Sequence, residues 1–220
     1  MMLHIVSPAS QDFYQKDLED FFKLRKKILI DERGWNLTAE KEQEIDQFDH
    51  DQAHYLLYKP DEKGAVIGGV RLTPTLVPNL TMNIFSSLIK PERGFAPSQR
   101  IWESSRFVTA SINCDKHKGI IKKATAELFV GMIEYSLLHG LESLLMLTEI
   151  RLERIGRMLQ WHLDRLGDVS RVGNTLAVTG LAEISEAVLR RVRRNGGIHH
   201  EIFFLHSSHK INRFKSQCPP

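Results

Sequence analysis

The chain has 220 residues, 42% of them apolar and 26% charged, so it can bury a sizeable core and is neither disordered nor fibrous. Its net charge of +3 argues against a general nucleic-acid-binding protein, and no run of about 18 apolar residues predicts insertion into a membrane. There is no secretion signal, and the two cysteines are far apart and outside any metal-binding spacing. The sequence therefore predicts a cytoplasmic protein with no disulfide and no metal site.

The first half of the chain predicts a long helix among short strands. Apolar residues recur at helical spacing after the first strand, and Arg25 lies on or beside their face. A polar, irregular segment then separates this helix from two neighbouring strands. In chain order the predicted elements are a strand at 3–6, a helix at 12–30, strands at 54–58 and 65–72, a short helix at 83–90 and a strand at 101–109.

The second half of the chain alternates helices and strands. Asp115 is a candidate N-cap for the first of these helices, and Gly140 is its candidate C-terminal stop. The order predicts a single α/β domain over residues 1–220, with helices flanking a mixed sheet. The basic residues of 186–220 suggest an acidic partner or a solvated helix face. The predicted elements are a helix at 118–139, a strand at 141–147, a helix at 149–160, a loop to 174, a strand at 175–180 and a helix at 181–194.

Six ionisable side chains fall in apolar surroundings. Isolated buried charges are costly, so these groups must pair or lose their charge. One interpretation is a structural ion network that fixes the N-terminal helix to the sheet. The other is a site for a polar ligand carrying both signs of charge. The redundancy of the set favours the second, because buried ion clusters can often be replaced by apolar residues. The six are Arg25, Asp46, Asp49, Arg71, Glu103 and Arg106.

The stretch WESSRF at 102–107 places two opposite charges within an otherwise buried strand. Glu103 and Arg106 are three residues apart, so in a regular strand they would face opposite sides of the sheet. A β-bulge would bring both onto one side, and bulges are common beside active sites. The pattern therefore predicts a bulged strand that forms the floor of a site.

These residues resemble the acyl-homoserine-lactone synthases, the LuxI-type autoinducer synthases of bacterial quorum sensing. The resemblance covers most of residues 15–180, and residues 185–220 carry little of it. It implies a fold similar to the GNAT acetyltransferases, with a mixed, V-split β-sheet flanked by helices. The matching residues are Arg25, Gly34-Trp35, EIDQFD (44–49), VRLTPT (70–75), Phe85, WESSRF (102–107) and GNTLAVTG (173–180).

The resemblance also implies a reaction. The amino group of S-adenosylmethionine (SAM) attacks a fatty acyl thioester, and the SAM carboxylate then closes a lactone on its own γ-carbon and releases methylthioadenosine. SAM is a substrate, so no cofactor is expected. Glu103 is the expected general base, through a water, because the attacking amine must be neutral. Ser105 would orient that water or the acyl carbonyl, and Arg106 would belong to the same ion network.

On the SAM side the resemblance implies seven residues. Trp35 and Phe107 could offer aromatic faces to the adenine or the sulfonium, although core packing is the plainer interpretation of both. Leu29 stands where members of the family usually carry Phe, which loosens one wall of the pocket and removes no charge. The seven are Arg25, Leu29, Trp35, Asp46, Asp49, Arg71 and Phe107.

The acyl donor is expected to be acyl carrier protein, with acyl-CoA as the alternative. The segment around Gly119 lacks the full glycine-rich motif with which GNAT enzymes hold the CoA pyrophosphate. Carrier proteins are acidic, so basic side chains would form the docking face, if they are not simply solvated. The docking candidates are Lys118, Lys122, Arg151, Arg154 and Arg157.

Three residues are expected to line the acyl pocket, namely Phe85, Met146 and Thr148. The family places Thr at the position of Thr148 in enzymes that use 3-oxoacyl substrates, which suggests the same preference here.

Two other functions remain open at the level of the sequence. One is a GNAT-like N-acyltransferase that uses acyl-CoA and a different amine acceptor. The incomplete glycine motif and the surplus of charges argue against it. The other is a non-enzymatic relative that binds SAM or a carrier protein, which a broken ion set would favour. Fold analogy alone does not separate these readings.

Overall fold

The computed structural model describes residues 2–110 and 123–203. Within those residues one mixed sheet has eight strands in the order β1-β2-β3-β4-β5-β8-β6, with β7 paired to the far part of β8. The β4–β5 pair is parallel and the other pairs are antiparallel. The strands are β1 (Met2–Val6), β2 (His54–Lys59), β3 (Gly68–Pro74), β4 (Ile101–Thr109), β5 (Ser143–Glu149), β6 (Leu163–Arg165), β7 (Ser170–Val172) and β8 (Thr175–Glu183).

Five α-helices lie among these described strands. A 3-10 turn at Pro8–Tyr14 leads into the first helix, which continues as a π-helical segment at Lys26–Glu32. Shorter 3-10 turns occupy Ser86–Leu88 and Pro91–Arg93. The helices are α1 (Gln15–Arg25), α2 (Leu80–Ile84), α3 (Lys123–Leu138), α4 (Ile150–Met158) and α5 (Glu186–Gly196).

The sheet separates two buried apolar clusters. Leu56 and Val70 face the larger cluster, which α3 and α5 cover. Tyr55 and Val108 face the smaller cluster, which α1 covers. The alternation follows from the strand geometry, in which successive side chains point to opposite faces. The predicted architecture, a mixed sheet flanked by helices, is therefore confirmed.

The sheet opens between its two central strands. β4 and β5 pair only where Ile101–Ser104 meets Ser143–Met146. Both strands then continue without pairing to each other, to Thr109 and Glu149 respectively. The gap that results is the V-shaped split expected of a GNAT-like sheet, and it gives access to both faces at one point.

A bulge in β4 lies just beyond the last β4–β5 pair. On β3, Gly69 is opposite Val108 and Arg71 is opposite Ser105, so a step of two residues on β3 matches a step of three on β4. Arg106, inside this step, has a φ of 56°. A positive φ is unusual for a residue with a side chain, and such backbone commonly marks a bulge or a functional site.

Several element boundaries differ from the sequence predictions, and polar caps explain two of them. The helix expected at 83–90 begins at Leu80, because the Asn79 side chain accepts a hydrogen bond from Met82 N. The helix expected at 181–194 begins at Glu186, where Ser185 caps it, and the preceding residues extend β8.

Two strands were missed in the predicted loop before residue 174, namely β6 and β7. Each has three residues, too few for an alternating pattern to be visible. The expected start of the helix at 118–139 lies outside the described residues. Its end is close to the prediction: α3 ends at Leu138, and Gly140 adopts a φ of 66° that favours glycine. No helix of the described residues combines the length and apolarity that crossing a membrane requires.

Candidate active site

Arg25 is the fully buried centre of the site on the α1 side of the sheet. It ends α1, and its Nε donates to Glu44 Oε2 at 2.6 Å. Its two terminal nitrogens donate to the two oxygens of Asp49 at 2.8 and 2.9 Å. The rings of Phe21 and Phe22 lie 5.6 and 5.1 Å from the guanidinium. Arg25 is thus held by two carboxylates and two aromatic rings, in a geometry that suits a buried guanidinium.

Arg71 and Arg106 complete a closed cycle with these carboxylates. Arg71 contacts Asp49 at 2.9 Å and also binds Asp46 through two nitrogens. Arg106 contacts Asp46 at 2.7 Å and Glu44 at 2.9 Å. Each carboxylate therefore touches two guanidiniums, and each guanidinium touches two carboxylates. We call this cycle the ion ring; it runs Arg25, Asp49, Arg71, Asp46, Arg106, Glu44 and back to Arg25.

Contacts within the ring shift the pKa values of three of its members. Burial opposes the charge of Asp49, but Arg25 and Arg71 outweigh it and hold the pKa of that carboxyl well below its usual range. Burial likewise opposes the charge of both arginines, and their carboxylate partners raise the pKa of each. Tyr55 donates its hydroxyl to Asp49 Oδ1 at 3.0 Å, and burial followed by Asp49 raises its pKa. Arg25, Asp49 and Arg71 are therefore held in their charged forms.

Glu103 is buried beside the ring on the same face of the sheet. It accepts hydrogen bonds from the backbone N–H groups of Leu80, at 3.2 Å, and Thr81. Ser105, two residues along β4, accepts from Arg71 Nε at 3.1 Å. The bulge turns Arg106 towards the same side, as its contacts with the ring carboxylates show. The structure thus brings all six charged residues of the sequence analysis into one cluster.

Glu44 is the member of the ring that the sequence analysis missed. It is 1% exposed and binds both Arg25 and Arg106. Its signal was present in EIDQFD, because alternate residues of an extended segment point the same way and Glu44 is two before Asp46. With Glu44 the cluster has four carboxylates and three guanidiniums, whereas the sequence analysis identified three of each. The four carboxylates are Glu44, Asp46, Asp49 and Glu103, so the formal charge is 3 − 4 = −1.

The uncharged residues expected on the SAM side divide between the two faces. Leu29 is buried in the π-helical segment within the α1 cluster. Trp35 donates its backbone N–H to Leu29 O at 2.9 Å, and its Nε1 is buried with no partner among the described residues. Phe107 lies apart from the ring, on the α3 face, where its ring centroid is 5.3 Å from that of Phe129. In this position Phe107 packs against the core, as the plainer interpretation of this residue expects.

Two of the three expected acyl-pocket residues lie on β5, at or just beyond its last pair with β4. Met146 of β5 is opposite Ser104 of β4 and packs against the α3 cluster. Thr148 lies beyond the last β4–β5 pair, opposite Val178 of β8, and its hydroxyl is buried with no partner in the described part of the chain. Phe85 follows α2 and is partly buried.

The expected docking residues are only partly described. Arg151, Arg154 and Arg157 are exposed and recur every three residues along α4. Lys118 and Lys122, together with the glycine-rich position of the GNAT motif, lie outside the described residues. Within the residues that the structure covers, no group of three or more His, Cys, Asp or Glu side chains is arranged to hold a metal ion.

Comparison with known proteins gives one consistent result. Residues 10–192 match the family model described as autoinducer synthase. An acyl-homoserine-lactone synthase of Agrobacterium fabrum (strain C58) is 32% identical over 193 residues, which cover 87% of this chain and 90% of the relative. The structure of BjaI, a CoA-dependent acyl-homoserine lactone synthase solved with SAM and isopentyl-CoA, superposes with a TM-score of 0.81 at 25% identity over 92% of each chain.

A more distant similarity concerns the fold alone. The structure of a putative N-acetyltransferase from Lactobacillus plantarum superposes with a TM-score of 0.52 at 15% identity, over 84% of this chain and all of that one. This similarity agrees with the GNAT-like split between β4 and β5.

Proposed function

The chain belongs to the autoinducer synthase family, and we propose that its ion ring orients SAM for acylation beside Glu103. As an acyl-homoserine-lactone synthase, it transfers an acyl group to the amine of SAM and produces a quorum-sensing signal. The observation that carries the proposal is the position of Glu103, which lies within one cluster with the three guanidiniums and three carboxylates of the ring.

Charge complementarity supports SAM as the ligand. The ring is neutral, since its three guanidiniums match its three carboxylates, and Glu103 adds one negative charge. At neutral pH SAM carries an ammonium, a sulfonium and a carboxylate, so its net charge is +1. Asp46 is the most exposed member of the ring, with 17% of its side chain accessible, and is the ring carboxylate best placed to meet the ligand. The unpartnered Trp35 Nε1 offers a donor on the same side.

The geometry of Glu103 suits a general base that is fixed in place. Two backbone N–H groups, those of Leu80 and Thr81, orient its carboxylate without competing as acids. In the proposed step a water gives a proton to this carboxylate while it takes one from the SAM ammonium. The neutral amine attacks the thioester carbon, and the thiol departs. The SAM carboxylate then attacks its own γ-carbon and displaces methylthioadenosine, a closure that depends mainly on proximity.

We place the acyl chain on the other side of the split. The thioester carbon would then lie between β4 and β5, with the SAM amine reaching it from the face that carries the ion ring. Met146 and Thr148 supply the apolar and polar walls on the acyl side. The buried, unpartnered hydroxyl of Thr148 could donate to a 3-oxo group, which supports a preference for 3-oxoacyl chains.

The proposed donor is acyl carrier protein. The exposed arginines of α4 suit an acidic carrier, and Arg151 and Arg154 have no carboxylate partner among the described residues. Acyl-CoA is the alternative, because BjaI is a CoA-dependent relative.

Glu103→Gln tests the catalytic part of the proposal. Because general-base catalysis contributes roughly 100-fold or more, we expect acylation to fall by at least that factor. SAM should still bind, since the ion ring is untouched, and the loss of the Glu103 charge should weaken its affinity by less than the rate falls. Methylthioadenosine release measures the rate, calorimetry measures SAM binding, and mass spectrometry identifies the lactone and its chain.

Glu142→Gln is the matched control, because this carboxylate is exposed and, among the described residues, forms an ion pair only with Arg100 at the surface. It should leave rate and binding unchanged. An unchanged acylation rate in folded Glu103→Gln enzyme would remove Glu103 from the role of base.

A further inference from the structure

Two threonine hydroxyls next to Glu103 are buried without a hydrogen-bond partner. Thr73 and Thr81 are both 0% exposed, and neither Oγ1 has a partner among the described residues. Buried hydroxyls are almost always hydrogen-bonded, so an unpaired one calls for an explanation. Two of them around one catalytic carboxylate point to a polar group that they hold in the working enzyme.

The fold places both threonines beside Glu103. Thr73 of β3 is directly opposite Glu103 of β4, on the same face of the sheet. Thr81 lies at the start of α2, and its backbone N–H donates to Glu103 Oε1. The two threonines therefore flank Glu103 from different elements, one from the sheet and one from the helix α2.

The hydrogen-bonding capacity of Glu103 leaves room for a water. An ionised carboxylate has about four acceptor positions, and the N–H groups of Leu80 and Thr81 occupy two of them. A bound water needs two to four polar partners. Thr73, Thr81, Glu103 and the amine of a substrate would together give it four. Each threonine hydroxyl can donate or accept, so the pair adapts as the water gives and takes a proton.

We propose that Thr73 and Thr81 are positioning residues that hold the water through which Glu103 deprotonates the amine of SAM. This inference rests on the proposed function, because it assumes that Glu103 is the base. The water takes a proton from the ammonium and passes one to the carboxylate, so it leaves the step unchanged. The hydroxyls keep the water in line between the two groups and exchange no proton themselves.

The test removes each hydroxyl and keeps the shape of the side chain. In Thr73→Val and Thr81→Val, kcat should fall about tenfold each and further in the double variant, while KM for SAM changes less than twofold. Thr73→Ser and Thr81→Ser, which retain the hydroxyl, should restore most of kcat. Rescue by serine and the split between kcat and KM separate positioning from a structural role.

Stability provides a second, independent readout. Since the hydroxyls have no partner within the described structure, their removal should leave Tm equal to or above that of the parent, even as kcat falls. Ser136→Ala is the control, because its buried, unpartnered hydroxyl lies on α3, away from Glu103. It should leave kcat unchanged.

The outcomes also distinguish this inference from the proposed function. An inactive Glu103→Gln enzyme together with full activity in the double valine variant would overturn the water-holding role alone. Full activity in Glu103→Gln would overturn both. A fall in kcat that serine does not rescue would assign Thr73 and Thr81 to packing and also overturn the inference.

Discussion

At the scale of single residues, the ion ring shows both the reach and the limit of the sequence. Arg25, Asp46, Asp49 and Arg71 were identified because each charge falls in apolar surroundings, where it must find a partner. Which carboxylate meets which guanidinium depends on tertiary distances, and no spacing in the sequence encodes them. Glu44 was missed because its two-residue spacing from Asp46 was not used, although it binds two of the three guanidiniums.

Glu44→Gln tests the contribution of the ring to stability. The substitution leaves Arg25 and Arg106 buried with one carboxylate fewer between them. Breaking a buried pair from one side typically costs about 3–5 kcal/mol, and we expect a loss of that size in the free energy of unfolding in urea. In contrast, Glu42→Gln removes an exposed partner of Lys26 and should cost less than about 1 kcal/mol. Equal, small losses in both variants would contradict the account of the ring.

At the scale of elements, the hydrophobic pattern predicted the bounds of the strand β4 better than those of the helices α2 and α5. β4 has the bounds expected at 101–109, because its apolar run is bordered by clear polar segments. The bulge followed from the spacing of Glu103 and Arg106. The bounds of α2 and α5 depend on the caps Asn79 and Ser185, whose signal the periodic analysis did not use.

The C-terminal end of α3 is joined to the sheet by a cluster of rings. His54 of β2 lies 2.7 Å from the hydroxyl of Tyr135 through its Nδ1. His139 packs beside them, with its ring centroid 4.2 Å from that of Tyr135 and 5.2 Å from that of Trp102. Burial first, and His139 second, lower the pKa of His54 from 6.5 to about 4.

This cluster predicts a dependence of stability on pH. Because the folded state disfavours protonated His54, the unfolded state binds the proton at a higher pH, and stability is lost as the pH falls from about 6.5 to about 4. Since His54 is partly exposed, we expect the loss to be roughly 1–2 kcal/mol and not the full value of the shift. Urea unfolding at several pH values should show that the free energy of unfolding depends less steeply on pH in His54→Gln than in the parent. His162→Gln, which alters an exposed histidine, should keep the parent slope; identical slopes in all three proteins would refute this explanation.

At the scale of the whole molecule, the two faces of the split sheet differ in their chemistry. The ion ring lies on the α1 face, while the α3 face carries the apolar cluster that Met146 and Phe107 extend. The sequence analysis assigned Phe107 to the SAM side, and that role stays a prediction. Because the bulge turns Arg106 towards the α1 face, Phe107 lies on the α3 face.

Charge reversal on α4 tests the proposed carrier. The double variant Arg151→Glu, Arg154→Glu should raise KM for carrier-borne acyl substrate about tenfold and leave kcat nearly unchanged, because it weakens the encounter with an acidic partner. The effect should shrink at high salt and be smaller with a soluble acyl thioester. Lys16→Glu, an exposed change of the same sign on α1, should have no such effect. Equal effects on both donors would argue against docking on α4.

The closed form of the ion ring also constrains how this protein can diverge. Each charged group in the ring pairs with two others, so replacing one leaves two groups with a lost partner. No series of single neutral substitutions passes through such a state. Descendants of this chain should inherit the ring as an indivisible unit. Variation will accumulate instead around Leu29 and in the proposed acyl pocket, where substitutions can change the signal molecule without changing the ion ring.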